Sequence, residues 1–180
     1  GFWGRPFGPI ATLKQAGATF EIKTPEEAKK GIGFAVPFAT FPQGFSLSQT
    51  SAITHTLGVQ LGLIGSGSPE ESAVANQLMN DTADVFSELT DGKPDERLSK
   101  WFEYFGGKLG GQGYFQGDNA GAVDFNLYAV MWTLAKKKEA GKCTGVEVPA
   151  NLTAWVSKME ANAVVATMIA ETVILPPSFI

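Results

Sequence analysis

Apolar residues recur at helical spacing through the last two-thirds of the chain, and that periodicity limits the fold more than any other feature. Leu98, Trp101, Phe102, Phe105 and Leu109 form one stripe, and Val123, Leu127, Val130, Met131 and Leu134 form another. Leu152, Trp155, Val156 and Met159 make a third, and Val74, Leu78, Val85 and Leu89 a fourth. A helix with one apolar stripe must bury it against another element, so these stripes predict a helical bundle around a shared core. At 44% hydrophobic and 18% charged over 180 residues, the composition is that of an ordinary globular protein. The apolar runs are too short and interrupted to span a bilayer. The net charge is −4 and the longest basic run is Lys136-Lys137-Lys138, which suits a helix C-terminus and leaves no footprint for nucleic acid.

The first third reads differently. Phe7 to Gly17 is the pattern of a helix closed by a glycine. Ala18 to Lys23 alternates like a strand, and Thr24-Pro25-Glu26-Glu27 carries the signature of a helix start. Val36 to Thr40 and Phe45 to Leu47 read as strands joined by the turn Phe41-Pro42-Gln43-Gly44. Ser48 is the expected cap of the next helix, with Ile53, Leu57, Leu61 and Ile64 on one face. Gly65-Ser66-Gly67 interrupts the periodicity, and Ser68-Pro69-Glu70-Glu71 then repeats a cap signature. The expected organisation is a mixed α/β domain over 1–63, a linker over 64–68 and an all-helical domain over 69–180.

Several chemistries are excluded. Cys143 is the only cysteine, so no intrachain disulfide forms, and a reducing compartment fits. His55 is the only histidine, which rules out a histidine-rich metal site and leaves no Ser/His/Asp candidate near it; no metal is expected. Gly141-Lys142-Cys143-Thr144 lacks what a phosphate loop needs, and Gly110-Gly111-Gln112-Gly113 follows a helix rather than a strand.

Two places in the first third are chemically pointed. Val36-Pro37 opens a strand, and Gln49-Thr50-Ser51 begins a helix directly after one. A helix N-terminus presents free N–H groups and partial positive charge, which suits a carboxylate or phosphate. Hydroxyl residues at helix starts are ordinarily just caps. Their order and separation add meaning. Val36-Pro37-Phe38, followed by Gly44-Phe45-Ser46-Leu47-Ser48-Gln49-Thr50-Ser51-Ala52-Ile53, resembles the glutathione-binding segment of cytosolic-type glutathione transferases. The helical part agrees: Tyr114-Phe115-Gln116-Gly117-Asp118 with Ala122-Val123-Asp124-Phe125 is similar to that family's folding motif.

The resemblance implies a thioredoxin-like N-terminal part followed by a glutathione-transferase-type helical domain, an α/β plus all-α fold. It implies a cis bond at Val36-Pro37, a backbone pairing of Val36 with the cysteinyl part of glutathione, and capture of the γ-glutamyl carboxylate by Gln49 and Thr50. Asp124 would be structural, accepting N–H groups at the start of the central helix. Gly121 stands where the family usually has a hydroxyl cap, so that helix start is expected to be slightly weaker.

The chain also departs from the pattern. The family activates the glutathione thiol with a tyrosine, serine or cysteine near the first strand and helix. Here Tyr104, Tyr114 and Tyr128 lie in the helical part, the first serine is Ser46, and Phe2 and Trp3 stand near the activating position. Thr12 is an early hydroxyl expected to pack inside a helix, Ala35 replaces a polar side chain, and Arg5, Lys23, Lys29 and Lys30 are the nearby cations. The first strand of the fold has no counterpart, so upstream residues, a strand from a partner, or packing in a larger assembly is expected to complete the sheet. No catalytic residue is identified. The expected function is a non-catalytic binding, scaffold or assembly subunit; the alternative is an active transferase whose catalytic residue lies on an N-terminal segment beyond this sequence. Glutathione is the one ligand implied, and a protein partner or a homodimer is open. Gly92-Lys93-Pro94, Glu96-Arg97 and Lys100-Trp101-Phe102 resemble microalgal members, which makes the plastid an alternative to the cytoplasm.

Overall fold

The computed structural model describes residues 4–23, 27 and 33–171. In chain order the elements are α1 (Phe7–Gln15), β1 (Phe38–Thr40), β2 (Ser46–Ser48), α2 (Thr50–Gln60), α3 (Pro69–Thr90), α4 (Asp95–Leu109), α5 (Ala122–Glu139), α6 (Ala150–Glu160) and α7 (Ala163–Ala170). A small thioredoxin-like part is followed by a helical domain.

The bundle is built around α5. Val123, Phe125, Leu127 and Val130 are completely buried, because α5 is apolar on nearly every side and α1, α3 and α6 pack around it. Phe102 and Phe105 of α4 and Trp155 of α6 join the same core. Phe115 meets Phe105 and Trp155 edge-on, with ring centroids 6.3 and 5.5 Å apart. Phe7 and Ala11 belong to this core as well, so α1 is packed into the helical domain although its sequence lies in the first third. Phe41, Ile53 and Leu57 form a separate small cluster beneath the hairpin.

Local signals place the helix starts. Ser68 accepts the Glu71 N–H at 3.1 Å, with Pro69 in the first turn, as its sequence signature implies. Asp124 holds the start of α5: its Oδ2 accepts the Gly121 N–H at 3.0 Å, and its Oδ1 accepts the Phe115 N–H at 3.1 Å and the Trp155 Nε1–H at 2.8 Å. The glycine at the N-cap has a steric reason. The Ala122 N–H donates to the Leu63 carbonyl at 2.9 Å, and a Cβ on Gly121 would lie 2.8 Å from that same oxygen. The missing hydroxyl cap is therefore the cost of close docking against Leu63, not a weakness left uncompensated.

The first third needs correction. Residues 18–23 form no strand, and Ile22 is left exposed. A strand exists through its neighbours' hydrogen bonds, and among the described residues the one sheet is the pair β1–β2, so nothing pairs with this segment. The two strands are also shorter or shifted, Phe38–Thr40 and Ser46–Ser48. Of the helix expected from Thr24, residue Glu27 is helical and the rest lies outside the described residues.

Candidate functional site

The hairpin assembles the site. β1 and β2 run antiparallel with Phe38 opposite Ser48, Ala39 opposite Leu47 and Thr40 opposite Ser46. This register brings Val36-Pro37 and Gln49-Thr50 to the same end of the hairpin. Gly33 approaches so closely that a Cβ there would lie 2.6 Å from the Ser48 side chain, so only glycine lets the segment before Val36 cross at this point. The Val36–Pro37 bond is cis, as the resemblance implies. Val36 is exposed and its backbone makes no hydrogen bond to another described residue.

Gln49 departs from ordinary backbone geometry. It sits at the N-cap of α2 with φ 75° and ψ 123°, a combination that costs a non-glycine residue about 1–3 kcal/mol. Ser48, the expected cap, ends β2 instead: its backbone is committed to the pairing with Phe38, and the cap position passes to Gln49. The Gln49 side chain does not cap the helix either. The N–H groups of Thr50, Ser51 and Ala52 thus have no partner among the described residues, and the positive end of α2 stands open.

The hydroxyls beside it face inward. The Ser51 Oγ donates to the Met79 carbonyl of α3 at 3.0 Å, and the Thr54 Oγ1 to the Thr50 carbonyl at 2.8 Å. The Thr50 Oγ1 is buried without a partner among the described residues, beside a cavity of about 20 Å³ that Arg5, Thr82 and Asn126 also line. The sequence reading missed the role of Ser51. Its signal was there: Ser51, Thr54 and Gly58 are small residues at one helical spacing, and all three are buried.

Tyr104, Tyr114, Tyr128 and Cys143 lie in the helical part, away from the hairpin in sequence. The Tyr104 hydroxyl donates to Asp81 at 2.6 Å, and burial, then Asp81, raises its pKa. Burial likewise raises Tyr114 and Tyr128, with Asp124 and Glu160 adding to it respectively, and burial and Asp95 raise Cys143. Each therefore holds its proton more firmly than usual. Thr12 is completely buried and donates to the Gly8 carbonyl at 2.8 Å. Arg5 lies over the Phe86 ring at 5.6 Å and reaches the Ser87 Oγ at 3.3 Å, while Lys23 pairs loosely with Glu21 at 3.5 Å. Ala35 is exposed. His55 is satisfied by Ser72, its Nε2 lying 3.0 Å from both the carbonyl and the Oγ. Phe2, Trp3, Lys29 and Lys30 lie outside the described residues. Among the described residues no group of histidine, cysteine and carboxylates could hold a metal ion, and no helix is long and apolar enough to cross a membrane.

The short hairpin, the helix that opens at Gln49 and the bundle around α5 make up the fold of glutathione S-transferases. Residues 72–171 match the family model for the glutathione S-transferase C-terminal domain, and the chain belongs to that family. Among solved structures, it is similar to the glutathione S-transferase of Ascaris lumbricoides, at 19% identity over 97% of this chain and 95% of that one, with a TM-score of 0.78. A monomeric glutathione S-transferase from the hookworm Necator americanus gives 19% identity, the same coverages of 97% and 95%, and a TM-score of 0.76. A sphingomonad enzyme complexed with glutathione gives 19%, coverages of 93% and 94%, and 0.68. No curated protein matches the chain in sequence.

Proposed function

We propose that this chain is a glutathione-binding member of its family that does not itself conjugate glutathione, serving as a binding, scaffold or assembly subunit. The observation that carries the proposal is Gln49, held at φ 75° beside three N–H groups that have no partner among the described residues. Such a backbone is kept where the surroundings over-determine it, and a ligand clamp is a common reason. In this reading Val36 offers its backbone to the cysteinyl part next to Pro37. The Gln49 amide and the N–H groups that begin at Thr50 take the γ-glutamyl carboxylate. The relative solved with glutathione supports the choice of ligand.

The non-catalytic half rests on the acid–base groups. The tyrosines and Cys143 belong to the helical domain or its loops, so none stands at the hairpin to donate a hydrogen bond to a thiolate there. Phe34 is fully exposed beside the exposed Val36, which supports a protein partner or a second copy at this end of the molecule. The single half-buried Cys143 suits a reducing compartment, cytoplasmic or plastid.

Calorimetric titration with glutathione tests the binding half. Saturable binding is expected, weakened about tenfold by Gln49→Ala, on the scale of one hydrogen bond to a charged group. Equal binding by the variant would place the ligand elsewhere. Conjugation to a standard aromatic electrophile is expected to stay at background, and turnover by the purified chain would defeat the non-catalytic half.

A further inference from the structure

We infer that Ser51 is a positioning residue, through which α3 of the helical domain aims the N–H groups of α2 at the ligand carboxylate; the inference rests on the glutathione reading above. Ser51 combines two features in one residue. Its N–H is one of the three without a partner among the described residues at the start of α2, and its hydroxyl is spent on the Met79 carbonyl at 3.0 Å. Ser51 is 7% exposed and Met79 fully buried, so water does not compete for this bond. Met79 lies within α3, whose helical hydrogen bonds make its carbonyl a rigid anchor. One turn along α2, His55 meets Ser72 of the same helix. α2 is thus fastened to α3 at two levels, and the upper fastening is built on the residue that presents an N–H to the site.

The geometry of charge-assisted hydrogen bonds gives this fastening its consequence. A carboxylate needs N–H donors within a few tenths of an ångström of their optimum, and bonds weaken steeply as they turn away. With the Ser51 hydroxyl removed, the first turn of α2 loses its tie to α3 and can rotate away from the ligand. The strained Gln49 immediately before it favours such a relaxation.

The experiment compares two ligands on two proteins. One ligand is glutathione; the other is 4-aminobutyryl-cysteinylglycine, which lacks the γ-glutamyl α-carboxylate and keeps the rest. The wild-type chain is expected to prefer glutathione by about tenfold or more. Ser51→Ala should weaken glutathione about tenfold and the analogue by no more than about twofold, so the preference collapses. A residue that merely stabilises the fold would weaken both ligands alike, and that result, or an unchanged preference, overturns the inference while leaving the glutathione reading intact. A wild-type chain that does not distinguish the two ligands overturns both. If Ser51→Ala fails to fold, Ser51→Cys, which keeps a weaker donor at the same place, carries the comparison with a smaller expected loss of preference.

Discussion

Replacing Asp124 by alanine removes the acceptor for three buried donors, the N–H groups of Phe115 and Gly121 and the Nε1–H of Trp155. Each donor left without a partner costs about 1–3 kcal/mol. The substitution also removes a burden. Burial pushes the Asp124 carboxyl from the usual 3.8 up to about 6, the three donors opposing but not cancelling it, so holding its charge at neutral pH costs the fold about 3 kcal/mol. Setting one effect against the other, Asp124→Ala should lose about 3 kcal/mol of stability at pH 7.5, a large share of the total for a domain of this size. Asp124→Asn sheds the charge but turns its own N–H toward the Gly121 N–H and strands both, so it should lose about 1 kcal/mol at that pH, less than Asp124→Ala. The sign of the pH dependence follows. The native carboxyl binds its proton more tightly than the unfolded one, so stability falls as pH rises from about 4 to about 6 and is level above. Asp124→Asn should not show that fall. Urea denaturation followed by circular dichroism measures all of this. A loss below 1 kcal/mol for Asp124→Ala, or equal losses for the two variants at pH 7.5, would refute the reasoning.

Gly121→Ser looks like a gain by capping rules, yet its Cβ would meet the Leu63 carbonyl at 2.8 Å; a loss of about 1–3 kcal/mol is expected in thermal melts, and a raised Tm would contradict it. Gln49→Gly should relieve the backbone at φ 75° and stabilise the fold by about 1 kcal/mol while weakening glutathione about tenfold; calorimetry beside a denaturation curve should show the two quantities moving in opposite directions. Gly58→Ala should cost about 1–3 kcal/mol, because the added methyl would lie 2.7 Å from Ile64 and 2.8 Å from Ala122; an unchanged unfolding midpoint would mean that α2 shifts freely against α5. Thr12→Ala should leave glutathione binding unchanged and lower only stability, since its hydroxyl is buried on the Gly8 carbonyl.

The helical domain was legible because its signals are local. The stripes through Leu98 and Val123 and the cap at Ser68 act within a turn or two of their own position, as does the hold of Asp124 on the Gly121 N–H, and each stands where its sequence pattern placed it. Membership in the glutathione transferase family was legible too, from the spacing of Val36-Pro37 and Gln49-Thr50 and from the motif around Asp124. What tertiary structure alone decided depends on partners distant in sequence. Residues 18–23 carry a strand's alternation but form none, because alternation cannot supply a neighbouring ladder. The cap of α2 moved from Ser48 to Gln49 because pairing with Phe38 claimed the serine first. Gly121 lacks a hydroxyl because Leu63 occupies the space, and α1 entered the helical core because Phe7 and Ala11 pack there with residues far along the chain. Periodicity and capping are short-range and can be read from the chain; strand pairing, steric exclusion and the aim of a hydroxyl such as Ser51 exist only once distant segments meet.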